Sequence, residues 1–147
     1  MCAALGAIGG TIAAALLGNW LNRRPTYALL CLGSLAAALA LFRGNDHYGP
    51  LFLLTVFLGG AMTASFYGWF PLYLPELFRT SVRATGQGFS YNFGRIIAAV
   101  GALQTGTLMG LFKGDYPKAC SLMSLVYLAG LVIIWFAPET RGKPLPE

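Results

Sequence analysis

Residues Pro71–Arg95, PLYLPELFRTSVRATGQGFSYNFGR, join two long apolar runs and hold two prolines, one acid and three arginines. The rest of the chain is poor in charge. Of its 147 residues 56% are hydrophobic and only 10% are charged, with a mean hydropathy of +0.64. A soluble domain carries about 25% charged residues and uses them to cover its surface. This chain has too few for that, so lipid is its expected solvent. The quoted stretch then reads as a charged connector between two membrane spans.

Working outward from it, five runs approach the roughly 20 apolar residues that cross a hydrocarbon core. They are Ala3 to Trp20, Thr26 to Phe42, Tyr48 to Pro75, Thr85 to Phe112 and Ala119 to Pro138. Each is expected to be helical, because an unpaired strand leaves backbone amides unsatisfied in lipid. The runs also lack the two-residue alternation of a membrane barrel. The fold class is therefore an all-α membrane protein.

The net charge of +5 does not point to nucleic acid, since the basic residues lie between apolar runs rather than along one helical stripe. Five spans place Arg23, Arg24, Arg79, Arg83, Arg141 and Lys143 on one side, and Arg43, Lys113 and Lys118 on the other. The excess of arginine and lysine puts the first group, with the C-terminus, in the cytoplasm. No basic segment precedes the first apolar run, which argues against a cleaved signal peptide. Cys2, Cys31 and Cys120 show no C-x-x-C spacing and read as small hydrophobes. Small residues recur four apart at Gly6 and Gly10, at Gly106 and Gly110, and along Gly94, Ala98 and Ala102. That spacing suits close helix packing.

Within the connector, Pro71 and Pro75 predict a kink at the end of the third span. Glu76, Arg79 and Arg83 share one side if the backbone stays helical, and are expected to pair. Thr85-Gly86-Gln87-Gly88 is expected to loosen the chain before the fourth span. A charged joint of this kind suits a part that moves and then latches.

Pro75-Glu76-Leu77-Phe78 followed by Arg83-Ala84-Thr85-Gly86 resembles the P-E-[IL]-[FY]-P-x-x-x-R-[AGS]-x-G signature of the major facilitator superfamily, in its sugar-porter and organic-acid symporter branches. Pro138-Glu139-Thr140-Arg141-Gly142-Lys143 is similar to the P-E-T-K-G motif of the same carriers. Gly18 to Pro25, GNWLNRRP, resembles their G-x-x-x-D-R-x-G-R-R loop. Three departures stand out: Arg79 replaces a proline, Asn22 an aspartate and Arg141 a lysine. The resemblance implies that residues 1–147 are helices eight to twelve of a twelve-helix carrier, without its N-terminal half and seventh helix. Such carriers rock two halves about a central site, so the missing half is an implied partner. The signatures imply a cytoplasmic gating network of Arg23, Glu76, Arg79, Arg83, Glu139 and Arg141.

Residues suited to a polar substrate are Tyr67, Trp69, Tyr91, Asn92, Arg95 and Gln104, with Tyr73, Thr63, Ser65, Thr105 and Thr107 as further polar or aromatic positions. Arg95 lies twelve residues after Arg83, about 18 Å along a helix. It either faces a cavity and holds an anion, or it snorkels to the interface because the fourth span starts late. The aromatics either stack on a sugar ring or belong to an interfacial belt. His47, beside Asp46, reads as solvated, and no second residue supports a metal. No nucleophile, base and orienter occur together, and no phosphate-binding loop is present, so neither an enzyme nor a cofactor is expected. The expected function is part of a secondary transporter for a sugar or organic acid, coupled to protons, in the plasma (inner) membrane. The alternative is a small membrane interaction protein without transport activity.

Overall fold

The computed structural model describes residues 1–45 and 47–147, and every element among them is helical. The reading of Asp46 beside His47 therefore lies outside the described residues. Helix α1 spans Cys2–Trp20, α2 Arg23–Arg43, α3 Pro50–Leu77 and α4 Arg83–Leu111. The last rod consists of α5 (Tyr116–Ser124), α6 (Val126–Ile133) and a 3-10 turn at Ile134–Phe136.

The ends follow from local chemistry. Pro50 occupies the first turn of α3, where a missing N–H costs nothing. Asp115 caps α5, accepting from the Lys118 N–H at 3.1 Å. Helix α4 stops where Lys113 and Gly114 turn left-handed, at φ of 52° and 85°, and the Gly114 N–H closes onto the Met109 carbonyl at 2.8 Å.

Four rods among the described residues are long and apolar enough to cross a membrane: α1, α2, α3 and Tyr116–Phe136. Helix α4 is 29 residues long but falls outside that group, since Arg83, Gln87, Asn92, Arg95 and Gln104 all lie on it. Helix α3 carries Pro71 and Pro75 inside it and ends after Leu77. One expectation for the connector needs correction: Thr85 to Gly88 do not interrupt the helix, because α4 already begins at Arg83. A methyl on Gly86 would strike the Phe78 ring at 2.5 Å, so this glycine serves close packing.

Helices α1 and α3 form the tightest pair. Gly6, Gly10, Ala14 and Gly18 are all buried along one stripe of α1, and Gly60 and Gly68 of α3 lie against the α1 backbone at Ala3 and Thr11. Two hydroxyls cross the seam, Ser65 to the Gly10 carbonyl and Thr11 to the Ala64 carbonyl, each at 3.2 Å. Helix α2 packs on α3 and on the last rod. Trp69, Tyr73, Leu30 and Ile134 knit these three together in a core near the charged ends. Helix α4 stands apart with no buried residue, and its Gly94, Gly106 and Gly110 face open space. The outside is strongly apolar, with Ile8, Leu103 and Phe136 among many exposed side chains. A surface of this kind belongs in lipid.

Candidate functional site: a charged latch and an aromatic cleft

The latch is built at the N-terminus of α2. Arg23 is 6% exposed and reaches the C-terminal end of α3. Its Nε donates to Glu76 Oε2 at 2.9 Å, and its Nη2 donates to Oε1 at 2.5 Å. This two-pronged geometry is the strong form of an arginine–carboxylate pair. Nη1 donates to the Gly18 carbonyl at the end of α1, so one guanidinium ties three helices together.

The tail completes the arrangement. Asn22 makes no side-chain cap on α2. Instead the Glu139 carboxylate accepts from the backbone N–H groups of Arg23 and Arg24, at 2.8 and 3.1 Å. An acid at this position satisfies orphan donors and complements the helix dipole. Thr140 donates to Glu76 Oε2 at 2.6 Å, Arg24 Nε donates to the Ala137 carbonyl, and Tyr73 Oη donates to the Pro138 carbonyl at 2.8 Å. Pro138 and Thr140 thus hold α3, and Glu139 between them holds α2.

The expected pairing of Glu76 with Arg79 and Arg83 does not form. Helix α3 ends at Leu77, and Phe78 is extended (φ −115°, ψ 139°), so both arginines leave the face on which Glu76 lies. Arg79 is exposed. Arg83 donates to the backbone carbonyls of Phe78 and Pro146, at 3.3 and 3.0 Å. Arg141 is exposed and reaches the latch only through its backbone N–H, at 3.4 Å from Glu139.

Burial pushes the Glu139 carboxyl up, but the N–H groups of Arg24, Arg23, Arg141 and Thr140 outweigh it and hold the group below its ordinary value of 4.5. A carboxyl depressed on folding stabilises the fold above its unfolded value, and that contribution is lost as pH falls through the folded value. Thermal unfolding in detergent between about pH 6 and pH 3 should therefore show a midpoint that declines below about pH 4.5, and Glu139→Gln should flatten part of that decline. An identical pH slope in Glu139→Gln would count against this cap.

The second feature is a cleft of about 510 Å³ between α3 and α4, backed by α2 and α6. Three of the expected substrate residues, Tyr67, Tyr91 and Arg95, line it. Because α4 starts at Arg83, Arg95 sits twelve residues inside the helix. Phe66 stacks on Tyr127 at 6.0 Å, and Phe70 meets Tyr91 edge-on at 5.8 Å, giving the cleft flat apolar walls.

The other expected residues lie elsewhere. Trp69 is 1% exposed and sits in the core between Tyr27 and Tyr73, at ring distances of 4.8 and 4.6 Å. Asn92 is exposed, and its amide donates to the Gly88 carbonyl. Gln104 is exposed and does not line the cleft. Thr63 lines the cleft, whereas Ser65 is spent on the α1 seam. Tyr27, Cys31 and Tyr127 also line the cleft, and sequence reading missed them. The four-residue spacing of Tyr27 and Cys31 was the available signal, masked by the apolar run around it. Among the described residues no group of acids, cysteines and histidines could hold a metal. One cation at the mouth of an aromatic-lined cleft is suited to noncovalent binding of a small anion.

Residues 29–147 match the family model described as "Sugar (and other) transporter". The chain is 34% identical over 136 residues to a cis,cis-muconate transport protein of Acinetobacter baylyi, covering 92% of this chain and 32% of the relative. It is 34% identical over 148 residues to a probable 4-methylmuconolactone transporter of Cupriavidus pinatubonensis, covering 95% of this chain and 32% of the relative. Human organic anion transporter 3 is 34% identical over 130 residues, 88% of this chain and 23% of the relative. The chain therefore spans a third or less of the length of these relatives.

Proposed function

Since the chain belongs to the Sugar (and other) transporter family, we propose that it forms part of a secondary transporter for a small organic anion. In this reading residues 1–147 supply helices eight to twelve of a twelve-helix carrier in the plasma (inner) membrane. The arginine-rich loops and the C-terminus lie in the cytoplasm. The solute moves by alternating access, driven by protons, between this half and the half that the resemblance implies.

The observation that carries the reading is Arg95, a cation well inside α4 that lines a cleft walled by Phe66, Phe70 and Tyr91. A charge carried into a membrane bundle is costly and is retained where it meets a partner or an aqueous cavity. Organic acids suit this cleft better than sugars, because its one charged side chain among the described residues is a cation, the amides of Asn92 and Gln104 lie outside the lining, and the Thr63 and Ser90 hydroxyls are spent on carbonyls of their own helices. The names of the muconate, muconolactone and organic-anion relatives support the same choice. The latch of Arg23, Glu76, Glu139 and Thr140 would hold the cytoplasmic side closed in one end state, and its breakage would accompany the switch.

Uptake of a labelled aromatic carboxylate into proteoliposomes that hold the whole carrier, both halves together, tests the anchor. Arg95→Ala should reduce binding and uptake at least about tenfold, as loss of a charge-assisted hydrogen bond does, while leaving the helical content and thermal midpoint in place. Uptake that is unchanged in Arg95→Ala would remove the anion reading.

A further inference from the structure

The cleft has a mouth and a floor of different chemistry. At the mouth Tyr67 is 63% exposed and Arg95 is also exposed. At the floor Cys31 is 2% exposed. Gly130 marks the closest approach there, since a methyl on it would meet Cys31 Sγ at 3.1 Å and Tyr27 Oη at 3.4 Å. A thiol and a phenol therefore converge on the space that this glycine leaves open. Tyr27, Cys31 and Ser34 share one face of α2, at spacings of four and three residues. Ser34 is fully buried, and its Oγ has no hydrogen-bond partner among the described residues. The polar stripe thus continues behind the floor, where the Tyr127 hydroxyl is the neighbour of Ser34. Among the described residues the lining carries one charged side chain, Arg95 at the mouth.

We propose that the cleft selects planar monoanions that carry a neutral acceptor, such as a carbonyl oxygen, at the end opposite their carboxylate. The inference rests on the reading of Arg95 as the anion anchor and extends it to the far end of the ligand. The carboxylate meets Arg95, the flat body lies against the Phe66 and Phe70 rings, which sit side by side on α3, and the acceptor receives a hydrogen bond from the Tyr27 hydroxyl at the floor. A second carboxylate would be driven among neutral groups without a cation, and burying an unpaired charge is heavily disfavoured. A ligand without an acceptor would leave the Tyr27 hydroxyl with only the Cys31 sulfur, a weak acceptor, and polar sites discriminate against such a mismatch.

Three benzoates that differ only at the para position test this by calorimetric titration of the protein in lipid nanodiscs. 4-Acetylbenzoate should bind about tenfold tighter than benzoate, and terephthalate no tighter than benzoate. Tyr27→Phe keeps the ring and should remove the roughly tenfold advantage of 4-acetylbenzoate over benzoate. Gly130→Ala, whose methyl enters the floor, should weaken 4-acetylbenzoate more than benzoate. Binding of all three that fails in Arg95→Ala upholds the anchor. Binding that survives Arg95→Ala, or no binding of any probe, overturns the anchor and the inference with it. Arg95-dependent binding of benzoate with no gain from the acetyl group, or with terephthalate tightest, overturns the floor alone.

Discussion

Arg23→Met is expected to destabilise the protein by about 3 kcal/mol, the lower end of the cost of breaking a buried ion pair. Methionine keeps much of the packing of the arginine stem, so the loss reports the charge and its hydrogen bonds. What remains is Glu76, with a side chain only 16% exposed and Thr140 as its one surviving partner. Glu76→Gln should lose somewhat less, because an amide keeps one acceptor for Arg23. The double variant should be much less damaged than the sum of the two, with a coupling of about 1.5 kcal/mol or more. Arg83→Ala is the contrast. That arginine is half-buried and bonds only to backbone carbonyls, so its removal should cost about 1 kcal/mol or less. Thermal or denaturant unfolding in detergent measures all four. Additive losses from Arg23→Met and Glu76→Gln would show that the two side chains are neighbours rather than a unit. In a carrier, a change of about 3 kcal/mol also moves a two-state equilibrium more than a hundredfold. Transport should therefore fail in Arg23→Met even where some folded protein survives.

The helices were legible because length and apolarity alone decide what a hydrocarbon core accepts. The run from Ala3 to Trp20 differs from α1 by one residue. Boundaries that depend on distant partners were less visible. Helix α2 begins at Arg23 rather than near Thr26, and its first turn is capped by Glu139, more than 100 residues away. Helix α4 begins at Arg83 although two glycines follow, and at Gly86 the missing side chain makes room for Phe78. Neither fact is written in local propensity. The same limit governed the latch. Its acid was recognisable in Pro75-Glu76, and its tail in Pro138-Glu139-Thr140. Local spacing, however, offered Arg79 and Arg83 as partners, and only the packing of α2 against α3 brings Arg23 to Glu76. In the cleft Arg95 was conspicuous as a charge in an apolar run, while Tyr27 and Cys31 sat among leucines and alanines without any such contrast. Trp69 misled for the opposite reason. It is a large aromatic between two tyrosines, and side-chain type does not disclose which face of α3 turns inward.

The seam between α1 and α3 shows what the repeat of small residues does, and Gly10→Ala should expose it with a loss of about 3 kcal/mol, the upper part of the range for overpacking. A methyl at Gly10 would stand 2.6 Å from the Ala61 carbonyl carbon and 2.7 Å from its Cα. These are backbone atoms of a continuous helix and have no rotamer to escape into, so the two axes must separate. Separation breaks the hydrogen bonds from Ser65 to the Gly10 carbonyl and from Thr11 to the Ala64 carbonyl. It also opens the approaches that Gly60 and Gly68 make to Ala3 and Thr11. In lipid no water-exclusion force pulls the pair back, because association there rests on close packing itself. Two other glycines separate this effect from the mere gain of a methyl. Gly9→Ala meets open space and should be neutral or stabilising by up to about 1 kcal/mol through helix propensity. Gly33→Ala would meet the Met62 sulfur at 2.8 Å, and since that flexible side chain can move aside, about 1 kcal/mol is expected. The three variants, compared by unfolding in detergent, should rank Gly10→Ala far below Gly33→Ala and Gly33→Ala below Gly9→Ala. If Gly10→Ala unfolds alongside Gly9→Ala, the seam is not held by backbone contact, and the stability of the pair must come from the side chains on either side of the stripe.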